Sequence, residues 1–219
     1  LNDPRFALIA TALPHSLTEH NNVGDSNSNS ATRRLVFDFA GTSTTLVDSS
    51  ADLGEAVMAI RDAAFGFQGQ RFGSCRTVVA VGAAYDALID TLTEVTIAMR
   101  IGDPSEPATR IGPLIDGSTL ESIANVISNA KTTATVAAAV EPPHSDRPFV
   151  GPHIFTAVSP DTDLARTQTL APIVSIIKTE TFDEAIAALR TVGHRHVGAV
   201  FARKPSHVER ARTEYPADF

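Results

Sequence analysis

Phe65-Gly66-Phe67-Gln68-Gly69-Gln70-Arg71-Phe72-Gly73-Ser74-Cys75-Arg76 is the stretch on which the reading of this 219-residue chain turns. It follows an acidic, alanine-rich run from Ala51 to Ala64, in which Leu53, Val57 and Ile60 recur at helical spacing. Asp52 stands near the start of that run, where a carboxylate suits the helix dipole. The stretch leads straight into Thr77-Val78-Val79-Ala80-Val81, an apolar run that predicts a short buried strand over 78–81. Helix, loop and strand therefore follow one another within thirty residues or so of chain.

The same rhythm extends in both directions. Residues 6–13 predict a strand, 21–30 form a low-complexity polar stretch expected to be a mobile loop or linker, and 34–39 with 44–47 predict a strand pair or one bent strand. Ala83 to Met99 predicts a helix with Leu88, Leu92, Val95 and Met99 on one side, and Thr119 to Thr132 another with a stripe of Ile123, Val126, Ile127 and Ala130. Strands are expected over 133–140, 154–158, 173–177 and 198–201, with helices over 183–190 and 206–214. Strands separated by helices of this length imply an α/β fold with a largely parallel sheet covered on both faces.

Composition bounds the function classes. Hydrophobic residues make up 43% of the chain and charged residues 20%, ordinary for a packed domain. The net charge of −7 argues against nucleic acid, which needs a basic face to neutralise phosphates. No run approaches the roughly 18 apolar residues of a transmembrane helix. One cysteine allows no internal disulfide, which fits a reducing compartment.

Six segments in order resemble the aldehyde dehydrogenase superfamily. The first is Phe65 to Cys75 itself, similar to the segment where Gly-Gln-(any residue)-Cys delivers the nucleophile. Arg34 to Gly41 is similar to the strand and turn of Glu-Leu-Gly-Gly-Lys. Gly102-Asp103-Pro104 with Ile111-Gly112-Pro113 resembles the Gly-Asp-Pro…Gly-Pro turn, and Pro148 to Pro152 the Phe-(any)-(any)-Pro strand entry. Leu164 to Pro172 with Phe182 to Ile186 resembles the late cofactor-contacting segment and helix, and Gly198 to Phe201 with Arg210 to Arg212 the last strand and helix. The wording Gly-Phe-Gln-Gly-Gln is closest to the pyrroline-5-carboxylate dehydrogenase branch. The resemblance implies a three-layer catalytic-domain fold over 31–219, with 1–30 a vestigial strand and polar linker. Phe6 to Thr11 would be the vestige of a nucleotide-binding domain, continuing as Leu13-Pro14-His15-Ser16 without a glycine-bearing helix start.

What the resemblance implies about chemistry lies in the departures from it. The family oxidises aldehydes by thiolate attack, hydride transfer to a nicotinamide, and thioester hydrolysis by water that a carboxylate activates. Phe72 occupies the nucleophile's place and cannot ionise or attack. Asp38 stands for the general-base Glu, one methylene shorter, and Gln168 for the Glu that holds the nicotinamide ribose, followed by Leu170 and Ala171 in place of Phe-Gly. The expectation is a catalytically inactive member with no cofactor and no metal, serving as a structural or regulatory subunit with protein partners in a larger complex or homo-oligomer. The alternatives are a NAD-dependent semialdehyde dehydrogenase of the pyrroline-5-carboxylate type, or a binding module without turnover. The same branch suggests a mitochondrial matrix location, with the cytoplasm as the alternative.

The remaining constellations have plainer readings. Cys75, three residues beyond Phe72, is read as a small packed residue rather than a displaced nucleophile. His194 and His196 alternate as a pair of metal ligands would on a strand, but nothing nearby completes a set, and a surface turn explains them. Arg71 is a candidate anion contact with a solvated charge as its default. Ser43, Thr44 and Thr45 are expected in a turn. Phe65, Phe67 and Phe72 are either an aromatic plug or core packing, and Asp183 and Glu184 suit a helix start.

Overall fold

The computed structural model describes residues 8–11, 34–37, 42–71, 73–193 and 195–217, so the polar stretch 21–30 lies outside the described residues. The chain divides into two units, Leu1–Gly41 and Thr42–Phe219. In the first, β1 (Leu8–Thr11) pairs in parallel with β2 (Arg34–Phe37), Leu8 opposite Arg34 and Thr11 opposite Phe37. The expected strand pair of 34–39 with 44–47 is therefore corrected: β2 finds its partner in β1, and β3 (Thr42–Val47) belongs to the larger sheet of the second unit.

That second unit alternates helix and strand as the apolar periodicity requires. After β3 come α1 (Leu53–Phe65), a 3-10 turn (Gly66–Gly69), β4 (Cys75–Val81), α2 (Ala84–Ile97), α3 (Leu120–Thr133) and β5 (Thr135–Ala139). There follow β6 (His153–Thr156), the short α4 (Asp163–Arg166), β7 (Ile173–Thr179), α5 (Phe182–Val192), β8 (Arg195–Phe201) and α6 (Pro205–Glu214). The six strands order as β5-β6-β7-β4-β3-β8, with only the β5–β6 pair antiparallel.

Three helix starts are chemically marked. Asp52 caps α1 by accepting from the Glu55 amide at 3.3 Å. Thr181 caps α5 by accepting from Glu184 N at 3.2 Å while the Glu184 carboxylate accepts from Glu180 N at 2.8 Å, the reciprocal arrangement of a capping box displaced by one residue. Pro205 opens α6, where its missing N–H would have been unpaired anyway.

The central strands are buried on both faces, so they read as continuous apolar runs rather than alternating ones. One face of the sheet carries Leu46, Val79 and Ile177, consecutive cross-strand partners, packed with Phe182, Ile186 and Leu189 of α5 and Ile123 of α3. The other carries Val47, Val78, Ala80 and Ile176 against Val57, Ile60 and Phe65 of α1 and Leu88 and Leu92 of α2. Helices thus cover both faces in three layers, and each fully buried aliphatic side chain contributes about 1.5–3 kcal/mol. Among the described residues no helix is long and apolar enough to cross a membrane.

Two element boundaries differ from the sequence reading in a way that matters for function. β4 begins at Cys75 rather than Val78, and β8 at Arg195 rather than Gly198. Arg195 and His196 are therefore strand backbone instead of a surface turn, while His194 and the His196 side chain lie outside the described residues. Ser43, Thr44 and Thr45 are likewise not a turn: all three are buried within β3.

Candidate functional site at the loop before strand β4

α1 ends on Phe65, whose ring is fully buried, and the chain then turns sharply. Phe67, Gln68 and Gly69 follow with φ of 52°, 56° and 68°. Two consecutive non-glycine residues in the left-handed region store about 1–2 kcal/mol each. Such strain persists only where surroundings over-determine it, and five hydrogen bonds do so here. The Gln70 amide donates to Phe67 O at 2.9 Å, closing the turn. The Gln68 amide is oriented so that its oxygen accepts from Gly112 N at 2.8 Å and its nitrogen donates to Phe67 O at 3.2 Å. Gln70 Oε1 accepts from Ile115 N at 3.0 Å, and Arg76 donates to Gly69 O. The paired glutamines therefore pin the turn to the Ile111–Ile115 loop. Gly69 is required twice over, since it adopts positive φ and any Cβ there would run into the Ala171 carbonyl.

Arg76 anchors the loop from below. It is 3% exposed and its guanidinium donates to the carbonyls of Gly69, Ala171 and Ile173, the last at 3.2 Å. No carboxylate partner accompanies it among the described residues. Burial pulls its pKa down to about 10, so it stays charged at neutral pH. Arg76 joins the loop to the segment entering β7, a role the sequence reading missed. An isolated arginine at the head of an apolar strand was its only signal.

Cys75 takes the first position of β4 and is 3% exposed. Its sulfur lies 3.3 Å from Thr45 Oγ1 on the neighbouring strand and 3.8 Å from Thr77 O. Burial pushes the thiol above its ordinary pKa, outweighing the opposing effects of the Thr45 hydroxyl and the Arg76 charge. Thr77 continues this polar layer, donating to Ala165 O at 3.0 Å and meeting Ser175 Oγ at 3.0 Å. β4 starts earlier than apolarity predicts because each of these polar groups is satisfied by residues distant in sequence.

The aromatic plug is also corrected. Phe65 is core, whereas Phe67 is 68% exposed and points away from it, with the Arg71 guanidinium 5.1 Å from its ring centroid. Arg71 donates to Asp62 O at 3.2 Å and its amide to Ser74 Oγ at 3.3 Å. Phe72 and Asp38 lie outside the described residues. Gln168 follows α4 and is half-buried; its amide nitrogen has no hydrogen-bond partner among the described residues. A cavity of about 690 Å³ lies beside this segment, lined by Asn129, Thr133, Asp161, Asp163, Thr167 and Thr169. Among the described residues no three His, Cys, Asp or Glu side chains converge as metal ligands would.

A helix, a strained glycine-bearing turn and a parallel strand, set in a three-layer sheet, now stand beside the sequence itself. Residues 16–217 match the aldehyde dehydrogenase family. The chain belongs to that family. The 1-pyrroline-5-carboxylate dehydrogenase of Geobacillus thermodenitrificans is 30% identical over 183 residues, 84% of this chain and 36% of that protein. The chain thus spans little more than a third of the length of the curated relatives it matches. Among solved structures, proline utilization A from Bdellovibrio bacteriovorus inactivated by N-propargylglycine superposes with a TM-score of 0.90 at 25% identity, over 99% of this chain and 23% of that one. A Thermus 1-pyrroline-5-carboxylate dehydrogenase with bound NAD gives 0.88 at 22% identity over 98% and 42%, a likeness of fold. This aldehyde dehydrogenase domain is accordingly related to the 1-pyrroline-5-carboxylate dehydrogenases, and its loop before β4 is the segment that the sequence resemblance singles out.

The opposite corner of the sheet holds a second buried polar cluster. Asp48, directly after β3, is fully buried and accepts from Ser50 N at 3.1 Å, from Ser50 Oγ at 2.5 Å and from His207 Nδ1 of α6 at 2.9 Å. Burial raises its pKa, but the bonds from Ser50 and His207 prevail and the net shift is downward. Ser50 Oγ in turn accepts from the amides of Arg203 and Lys204, each at 3.0 Å. The serine hydroxyl donates its hydrogen bond to the carboxylate rather than to the imidazole, so nucleophile and base are not paired as hydrolysis would need. The cluster ties α6 to β3.

Proposed function

We propose that this domain is a noncatalytic member of the aldehyde dehydrogenase family, serving as a structural or regulatory part of a larger protein or assembly. The observation that carries this reading is the state of Cys75. The chain has one thiol, and it is buried, bonded to Thr45 and shifted away from the thiolate form. A family that works by thiolate attack needs an accessible, ionised sulfur.

Three further positions support the reading on the strength of the resemblance. Phe72, between Arg71 and Gly73, replaces the nucleophile. Asp38 shortens the general base. Gln168 brings one acceptor oxygen and a buried donor nitrogen, unpartnered among the described residues, where the resemblance implies a carboxylate that holds the nicotinamide ribose. The residues at this place do not fit that carboxylate's role towards a nicotinamide ribose.

The well-pinned turn of Phe67 to Gln70 favours a second reading, a NAD-dependent dehydrogenase of the pyrroline-5-carboxylate type, because its frame remains built for catalysis. That reading requires a nucleophile other than Cys75. The two separate in one assay: the full-length protein with NAD and glutamate semialdehyde. The noncatalytic reading expects no reduced nicotinamide above background, for wild type and for Phe72→Cys alike, since the base and ribose positions are altered together with the nucleophile. Saturable production of reduced nicotinamide by the wild type would overturn it.

A further inference from the structure

Between Leu114 and α3 the chain carries its one Asp-Gly pair, Asp116-Gly117, in a run over 115–119 whose residues are all exposed. Neither reading of the function uses that pair. We propose that Asp116 is a modification site, at which the aspartyl side chain isomerises through a succinimide to isoaspartate and so loosens the loop before β4.

The local structure favours ring closure. The Ser118 amide donates to Asp116 Oδ1 at 2.7 Å, and the Ser118 hydroxyl donates to the same oxygen. The carboxyl is thereby curled back along the main chain, as in any aspartate bonded to the amide two residues on. The Gly117 amide has no acceptor among the described residues, and no side chain crowds its nitrogen. In the first step the Gly117 nitrogen bonds to Asp116 Cγ, while the amide proton and the carboxyl hydroxyl leave as water. Water then opens the ring: breaking the new bond restores aspartate, and breaking the bond from nitrogen to the main-chain carbonyl carbon leaves isoaspartate. Nothing is oxidised or reduced, and water is the one co-reactant. The bonds from the Ser118 hydroxyl and amide also hold the carboxyl below its ordinary pKa, so the neutral acid that closes the ring is scarce and the reaction is slow.

The consequence follows from what flanks the pair. On one side Ile115 N donates to Gln70 Oε1 at 3.0 Å, one of the bonds that pin the strained turn. On the other, Gly117 O accepts from Leu120 N at 3.2 Å at the start of α3. Isoaspartate routes the main chain through the side chain and inserts a methylene between these two anchors. The exposed bond from Ile115 to the Gln70 side chain is the one that yields. Asp48, which also precedes a serine, is the contrast within the molecule: it is fully buried, and its carboxylate is taken up by Ser50 and His207.

The experiment is to hold the native protein for weeks at physiological temperature and mildly acid pH and to map its tryptic peptides with time. Peptide 111–131 is expected to split into two species of equal mass, the new one accepting a methyl group from S-adenosylmethionine in the presence of protein L-isoaspartyl methyltransferase. Equal mass separates this change from deamidation of Asn125 or Asn129, and position separates it from the Asn-Ser pairs at 27–28 and 29–30. Gly117→Ala is expected to keep the fold, since a Cβ there would lie 3.8 Å from Pro148 Cβ and 3.9 Å from Leu120 Cδ1, and to slow the isomer severalfold by crowding the attacking nitrogen. Asp116→Asn is expected to speed it and to raise the mass, as ammonia leaves in place of water. In the aged wild type, hydrogen exchange at the Ile115 amide is expected to be faster than in fresh protein. A native protein that keeps a single species of peptide 111–131 while a synthetic peptide of that sequence isomerises would overturn the proposal, as would equal rates for the wild type and Gly117→Ala. Isomerisation with unchanged exchange at Ile115 would overturn the loosening of the loop.

Discussion

Arg76 and Asp48 are both buried charges on the central part of one sheet, at opposite ends of the parallel neighbours β4 and β3, and they are handled in opposite ways. Asp48 is matched by an imidazole and a serine that together lock α6 in place. Arg76 faces three backbone carbonyls and, among the described residues, no carboxylate, and what it locks is a strained turn. The C-terminal ends of parallel strands are the usual place for a ligand crevice. Here the Asp48 corner at that end is closed by its own side chains, and the stored strain lies in the loop that enters β4 from its N-terminal end. A buried pair with its partners satisfied signals architecture; a buried cation spent on carbonyls, beside residues of positive φ, signals a loop held for a purpose.

If that contrast is right, removing Arg76 has the larger consequence. Arg76→Leu would leave the carbonyls of Gly69 and Ala171 buried without their donor, and a loss of about 3 kcal/mol in urea unfolding is expected. An unchanged midpoint would mean the turn holds itself and would erase the difference between the two ends.

Asp48→Asn is expected to lose about 2 kcal/mol, since the Ser50 and His207 bonds become neutral ones. Its pH dependence sharpens the comparison further. The native carboxyl titrates below its ordinary value of 3.8, so its contribution is complete above about pH 4 and is lost as pH falls through the lowered native pKa. Stability measured from pH 6 down to pH 2 should fall less steeply in the variant than in the wild type.

The smallest effect belongs to Phe67→Asn. Asparagine tolerates positive φ, the phenyl ring is mostly in water, and the change in stability is expected to stay within about 0.5 kcal/mol. A loss of several times that size would make Phe67 a packing residue and would break the idea that the turn holds it outward.

The sequence made the helices and central strands legible wherever apolar spacing was clear. Leu53, Val57 and Ile60 mark α1, and the apolar run through Val81 marks β4 as a strand buried on both faces. What it hid were polar residues that become strand or core once distant partners arrive. Cys75, Arg76 and Thr77 belong to β4 because Thr45, Ala171, Ala165 and Ser175 satisfy them. Ser43 to Thr45 look like a turn for the same reason, while Thr44 is held at its hydroxyl by Tyr215 at 2.8 Å, 171 residues away. The Asp48–His207 contact spans 159 residues and carried no local mark beyond an Asp-Ser-Ser cluster after an apolar run. The loop itself was found from its wording, whereas its strain and the arginines around it needed coordinates.

The central claim, that no reactive thiol is available, is tested most directly by treating the native protein with p-nitrophenyl acetate and mapping acetylation by mass spectrometry. An activated ester reports thiolate attack without any nicotinamide. The account predicts no burst of nitrophenol and no acetyl group on Cys75 until the protein is unfolded; stoichiometric acetylation of Cys75 in the native state would contradict it.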